Sequence, residues 1–149
     1  MCTAGKIIFF DPFYFKNGNS SKPKYFLVIK VVENNVVLAC LPSSIAHLPR
    51  DLVVSHGCVE IPDACINCYI FEPNQPVTTN GWGFPKWTML YGNWLDDFPL
   101  DKLKENYPIE GVDYEIIGEL TIEELKNVTN CFATSSVVKR KYKKWLLRP

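Results

Sequence analysis

The sequence lacks an excess of either charge: sixteen Lys plus Arg balance sixteen Asp plus Glu in 149 residues. That excludes a wholesale nucleic-acid coat and a highly acidic mimic, and leaves only local patches for charged partners. It lacks any apolar run near the roughly 20 residues that a spanning helix needs. Its longest runs, Tyr25 to Ile29 and Val36 to Leu41, are strand-sized, so no membrane partner is expected. The opening Met-Cys-Thr-Ala-Gly-Lys has no basic region, long apolar core or cleavage site, which points to a cytoplasmic chain. Internal repeats and low-complexity segments are also missing. What is present is apolar: 47% hydrophobic and 13% aromatic, enough for a real core in one domain over 1–149.

Six cysteines look like a disulfide count until compartment is considered. Without an export signal the expectation is reduced thiols, buried or metal-bound. Cys40, in an apolar strand run, and Cys131, on the apolar side of a helical segment, read as small core residues.

The first half of the chain reads as strands. Residues 6–10 form one, ended by Asp11-Pro12, and a polar connection follows through Asn17, Gly18, Asn19, Ser20 and Ser21. Residues 25–32 and 36–41 are β-branched, apolar runs joined by Glu33-Asn34-Asn35, a hairpin signal because Asn tolerates positive φ. Short strands are expected at 58–61, 67–72, 87–91 and 114–120, between Pro, Gly and Asn punctuation. Near-continuous apolar strands of this length suit a small, strongly curved sheet or barrel of five to seven strands.

Helices enter late. Pro99 opens a short one, with Leu100, Leu103 and Tyr107 at helical spacing. Thr121-Ile-Glu-Glu124 is a capping box, with Glu124 reaching back to the cap. Ser135 and Ser136 can cap a final helix that carries Val138, Tyr142, Trp145 and Leu146 on one face. The fold class is therefore mainly β with C-terminal α.

The order of the first forty residues is informative. Gly5-Lys6-Ile7-Ile8-Phe9-Phe10-Asp11-Pro12 leads through a Gly/Ser-rich loop to Lys22-Pro23 and an apolar strand, and a hairpin then delivers Val36–Leu41 and Pro42-Ser43-Ser44. This order resembles the MazF/PemK-like toxins of type II toxin–antitoxin pairs. In that family a Gly-Asp-Ile strand leads to an Arg-Pro, and a later strand ends in a Thr/Ser pair. Ile117-Gly118-Glu119-Leu120-Thr121 similarly looks like the family's last strand and the start of its C-terminal helix. The resemblance covers about half the chain, and residues 80–113 look like an insertion relative to short members.

The resemblance implies an SH3-like barrel, a homodimer, an antitoxin partner and cleavage of single-stranded RNA with no metal or other cofactor. In such a reaction the ribose 2′-hydroxyl attacks its own phosphate, so the site must move protons and stabilise added negative charge. The family's arginine is replaced here by Lys22. A lysine is a point charge rather than a planar fork, but once desolvated it can act as acid or base. Ser43 would donate to phosphate. Lys24, Ser44, His47 and Arg50 are candidate RNA contacts. The rival reading is a catalytically inactive barrel that binds RNA or a protein, as the CcdB-like toxins of the same superfamily bind gyrase. The plainer readings are a solvated lysine and ordinary turn serines.

Two further features stand apart. His56, Cys58, Cys65 and Cys68 place four plausible zinc ligands within thirteen residues, but only Cys65-x-x-Cys68 has the form of a knuckle. Core and edge thiols are the default reading and a zinc-stabilised interaction domain is the rival. The basic C-terminal helix over 134–149 carries six cations and no acid from Lys139 to Arg148, interleaved with Tyr142 and Trp145. It reads as packed aromatics with solvated lysines, against the alternative of an RNA-tracking face.

Overall fold

A computed structural model describes residues 1–18 and 21–149; Asn19 and Ser20 of the expected polar connection lie outside them. The chain runs β1 Lys6–Phe13, β2 Lys22–Val32, β3 Val36–Cys40, β4 Gly57–Ile61, β5 Ile66–Phe71, β6 Thr88–Tyr91, β7 Asp96–Pro99, α1 Leu100–Asn106, β8 Tyr114–Glu119, α2 Ile122–Ala133 and α3 Arg140–Leu146. Among the described residues the fold is mainly β, with two antiparallel sheets and three α-helices. The larger sheet has the order β7-β3-β2-β1-β8 and the smaller β4-β5-β6. Isolated bridges Ser43–Met89 and Thr78–Leu120 tie connecting segments to them.

The apolar strands are continuous because the larger sheet is covered on both faces. Ile7, Leu27, Ile29, Leu38 and Cys40 face one core, shared with Tyr69, Phe71, α2 and α3. Ile8, Phe10, Phe26, Val28, Val37 and Ala39 face a second core, closed by Phe98, Leu103, Tyr107 and Tyr114. The outer face of the smaller sheet is shielded by Leu48 and Val54 from the long 41–56 connection.

Several expectations need correction. Strand β1 does not end at Asp11-Pro12. It continues to Phe13 across a register shift between Phe10 and Phe13, since a bulge leaves the proline without a ladder bond to make. Among the described residues eight strands form where the apolar pattern gave seven. The extra one, β7, is Asp-Asp-Phe-Pro on the sheet edge beside β3, and edge strands carry charges and proline that hide them from pattern reading. In the β2–β3 hairpin the positive φ angles fall on Glu33 (55°) and Asn34 (59°).

The helix starts are also more specific than expected. Thr121 does cap α2, accepting the Glu124 N–H at 3.2 Å. The Glu124 carboxylate, however, is engaged elsewhere by Tyr69 and His56, so only half of the capping box forms. Ser135 and Ser136 do not cap α3, which starts at Arg140 after Lys139. Buried Ser135 instead accepts the Val137 N–H at 3.1 Å and donates to Glu60 at 3.1 Å.

The thiol expectation fails at one pair. Cys58 on β4 and Cys131 on α2 form a disulfide across 73 residues. Antiparallel pairing sets Cys58 opposite Tyr69, and α2 packs over that strand pair. Spacing alone could not reveal a partner so distant. No helix among the described residues is long and apolar enough to cross a membrane.

Candidate functional site

Where β2 begins and β3 ends, a cavity of about 270 Å³ opens between the two sheets. Its wall includes Lys24, Tyr25, Ser43, Ser44, Lys86 and Thr88. Three segments position these groups. Strand pairing fixes Lys24 opposite Phe10. Ser43 is held by two backbone bonds to Met89, at 2.8 and 3.0 Å. Its hydroxyl oxygen accepts the Ile45 N–H at 3.1 Å, which leaves the hydroxyl proton free to donate.

Lys86 is delivered by the 72–87 connection. That loop folds on itself: the Asn74 N–H bonds the Phe84 carbonyl at 2.7 Å and the Val77 N–H the Trp82 carbonyl at 3.0 Å. Thr78 Oγ1 accepts the Trp82 N–H at 2.8 Å. Gly83 allows the close crossing, since a Cβ there would lie 2.2 Å from the Gln75 carbonyl oxygen. The Thr88 hydroxyl donates to the Lys86 carbonyl at 2.9 Å, so it braces the turn rather than facing a ligand.

The wall has two lysines and no carboxylate or imidazole. Burial holds the Lys24 ammonium below its ordinary pKa, and the neighbouring Lys22 charge adds to the effect. The cavity is therefore a positive, partly apolar recess with hydroxyl donors, chemistry suited to a phosphate.

The expected site residues separate into groups. Lys24, Ser43 and Ser44 share the cavity wall, whereas Lys22 is exposed opposite Phe13 and outside it. His47 and Arg50 are also outside. The His47 N–H donates to the Tyr91 hydroxyl at 2.6 Å, and the exposed imidazole lies edge-on to Trp94. Arg50 is exposed on the same connection.

The zinc reading does not survive. The Cys58 sulfur is bonded to Cys131. Cys68 is buried among Ile70, Met89 and Tyr91 with its thiol pushed up to about 12 by burial, and Cys65 is exposed in a left-handed turn. His56 accepts the Glu72 N–H at Nδ1, 3.3 Å, and so donates from Nε2 to Glu124 at 2.6 Å. Among the described residues no three His, Cys, Asp or Glu side chains are arranged to hold a metal ion. Cys40 is fully buried, its thiol likewise raised to about 12, an inert core residue.

The C-terminal segment is packed. Tyr142 and Leu146 are buried, the Tyr142 hydroxyl donates to Asp97 at 2.6 Å, and Lys141 lies 3.9 Å from the same carboxylate oxygen. Sequence reasoning missed Lys86, although a signal was present. Pro23-Lys24-Tyr25 and Pro85-Lys86-Trp87 are two Pro-Lys-aromatic triplets, and the cavity lies between them. No family model, curated protein or solved structure matches this chain.

Proposed function

We propose that this chain binds single-stranded RNA across the Lys24–Ser43–Lys86 recess, as a divergent relative of the MazF/PemK-like toxins. The observation that carries the reading is two lysines and two serines around one cavity whose wall contains no carboxylate. A phosphate entering it meets two cations, hydroxyl donors and apolar rings, and no side-chain negative charge. The two sheets are read here as a divergent SH3-like barrel, and by the same resemblance the partners are a second copy of the chain and an antitoxin.

A second reading, cleavage of that RNA without metal, is favoured by Lys24. A lysine with a lowered pKa moves a proton more readily near neutrality than an ordinary one. Lys24 would take the 2′-hydroxyl proton as the 2′-oxygen bonds to phosphorus, Lys86 would stabilise the added phosphate charge, Ser43 would donate to a phosphate oxygen, and the P–O5′ bond would break with the leaving 5′-oxygen taking a proton from water. The wall holds no carboxylate or imidazole to serve as the second proton-transfer group, which favours binding over turnover.

The test is a fluorogenic single-stranded RNA incubated with EDTA, alongside binding of the same RNA by anisotropy. Binding that Lys86→Glu abolishes supports the recess. Cleavage that Lys24→Ala abolishes adds the enzyme reading, and cleavage equal in wild type and Lys24→Ala removes it. RNA binding that survives Lys86→Glu and Lys24→Ala together sinks the whole proposal.

A further inference from the structure

A second cavity, of about 340 Å³, lies on the opposite side of the larger sheet between the segment that follows β1 and helix α1. It shares no lining residue with the Lys24 recess. Its volume is at the lower end of small-molecule sites, which run roughly 300–1,000 Å³. We propose that this trough binds a nucleotide, its base held among the aromatic rings and its phosphate by Lys102.

The walls argue for a flat ring. Phe13, Phe98 and Tyr107 are buried at the base, while Tyr14 stands 57% exposed at the mouth. These rings are already ordered. Tyr107 stacks on Phe13 at 6.0 Å and 7°, and Tyr14 on Tyr107 at 5.9 Å and 21°. The Tyr14 N–H donates to the Tyr107 hydroxyl at 2.8 Å, so the stack stands without a ligand. A preformed aromatic stack with an exposed outer ring is the feature on which unpaired bases pack.

The polar groups argue for an anion and a ring edge. The wall contains Lys16 and Lys102 but no carboxylate. Lys16 is largely committed: it lies 3.2 Å from Asp96 and its ammonium sits 4.4 Å over the Phe98 ring. Among the described residues Lys102 is paired with Glu105 alone, at 3.4 Å, and both side chains are more than 60% exposed. An exposed pair of this kind is weak, so Lys102 is the cation free to exchange partners. Asn106, on the same helix, offers both an amide donor and a carbonyl acceptor to a base edge. A simple apolar occupant, such as a partner's leucine, would use the rings and leave the lysine and the amide unemployed.

The experiment is a titration of the full chain with AMP and with UMP, followed by backbone amide NMR. Saturable shifts are expected at Tyr14, Phe15, Lys102 and Asn106. Lys102→Glu should weaken binding about tenfold or more, the loss of one charge-assisted contact, and Tyr14→Ala should also weaken it. Both positions are exposed, and an unchanged amide spectrum elsewhere will confirm that the variants fold. Adenosine should bind more weakly than AMP. No shifts at these residues, equal binding of AMP and adenosine, or an equal response to benzoate would each overturn the assignment. Lys86→Glu protein should bind AMP at the trough normally, so failure here is distinguishable from failure of the RNA recess.

Discussion

His56 and Glu124 meet at 2.6 Å, tying the start of β4 to the first turn of α2. The same Glu124 oxygen accepts the Tyr69 hydroxyl at 2.7 Å, so one carboxylate satisfies two largely buried donors. Glu124→Ala strands both. It should cost about 2–4 kcal/mol in urea denaturation, because an unsatisfied buried donor costs about 1–3 kcal/mol. Tyr69→Phe removes a donor without stranding one and should cost only about 1 kcal/mol. Equal losses in the two variants would contradict the geometry.

The Cys58–Cys131 link fixes the last turn of α2 to the edge strand β4. Reduction, or Cys58→Ser with Cys131→Ser, should lower stability by about 2–5 kcal/mol, the usual range for a native disulfide. Thermal melts with and without a thiol reductant read this directly. The double variant should be indifferent to the reductant.

Asp97 carries the docking of α3, and its pKa is lowered first by the Tyr142 hydroxyl and then by the Lys141 and Lys16 charges against an opposing burial effect. A carboxylate with a lowered folded pKa adds stability above its unfolded value of about 3.9 and loses it as pH falls through the folded value. Stability should therefore drop on acidification below about pH 4. Tyr142→Phe should flatten that part of the curve. Asp97 is nearly a third exposed, so solvent screening keeps the effect modest.

Gly83 and Gly92 are packing glycines. A Cβ at Gly92 would lie 2.1 Å from Asn67 Oδ1 and 2.8 Å from Val138 Cγ2, and Gly92→Ala should cost about 1–3 kcal/mol by overpacking. Gly83→Ala meets backbone instead, the Gln75 carbonyl, which cannot rotate aside. It should shift the 72–87 loop and weaken RNA binding as well as stability. Loss of stability without loss of RNA affinity would detach the loop from the recess.

Lys24→Ala and Lys86→Glu should each weaken single-stranded RNA binding, and each lost phosphate contact should reduce the salt slope by about 0.7. Lys22→Ala should matter less, since Lys22 lies outside the cavity wall. Anisotropy at several salt concentrations checks the ranking. A larger effect at Lys22 would return the phosphate position to the one the family resemblance implies.

The strands were readable because local chemistry writes them. Leu27 to Ile29 and Val37 to Cys40 are apolar on consecutive positions since both faces of the larger sheet are covered. Thr121 announced α2 because its hydroxyl competes only for a local N–H. The edge strand β7 was illegible, as its two aspartates serve neighbours far along the chain, Lys16 and Tyr142.

By itself the sequence determined the β-rich pattern, the hairpin at Glu33–Asn35 and the start of α2. These depend on side chains within a few residues of one another. Only the tertiary structure decided that Cys58 pairs with Cys131, that Glu124 turns to Tyr69 and His56, and that Lys86 rather than Lys22 joins Lys24 beside Ser43. Each of these joins residues brought together by strand pairing or helix docking, and separation along the chain carries no signal of a contact that exists only once the sheets and α2 have packed.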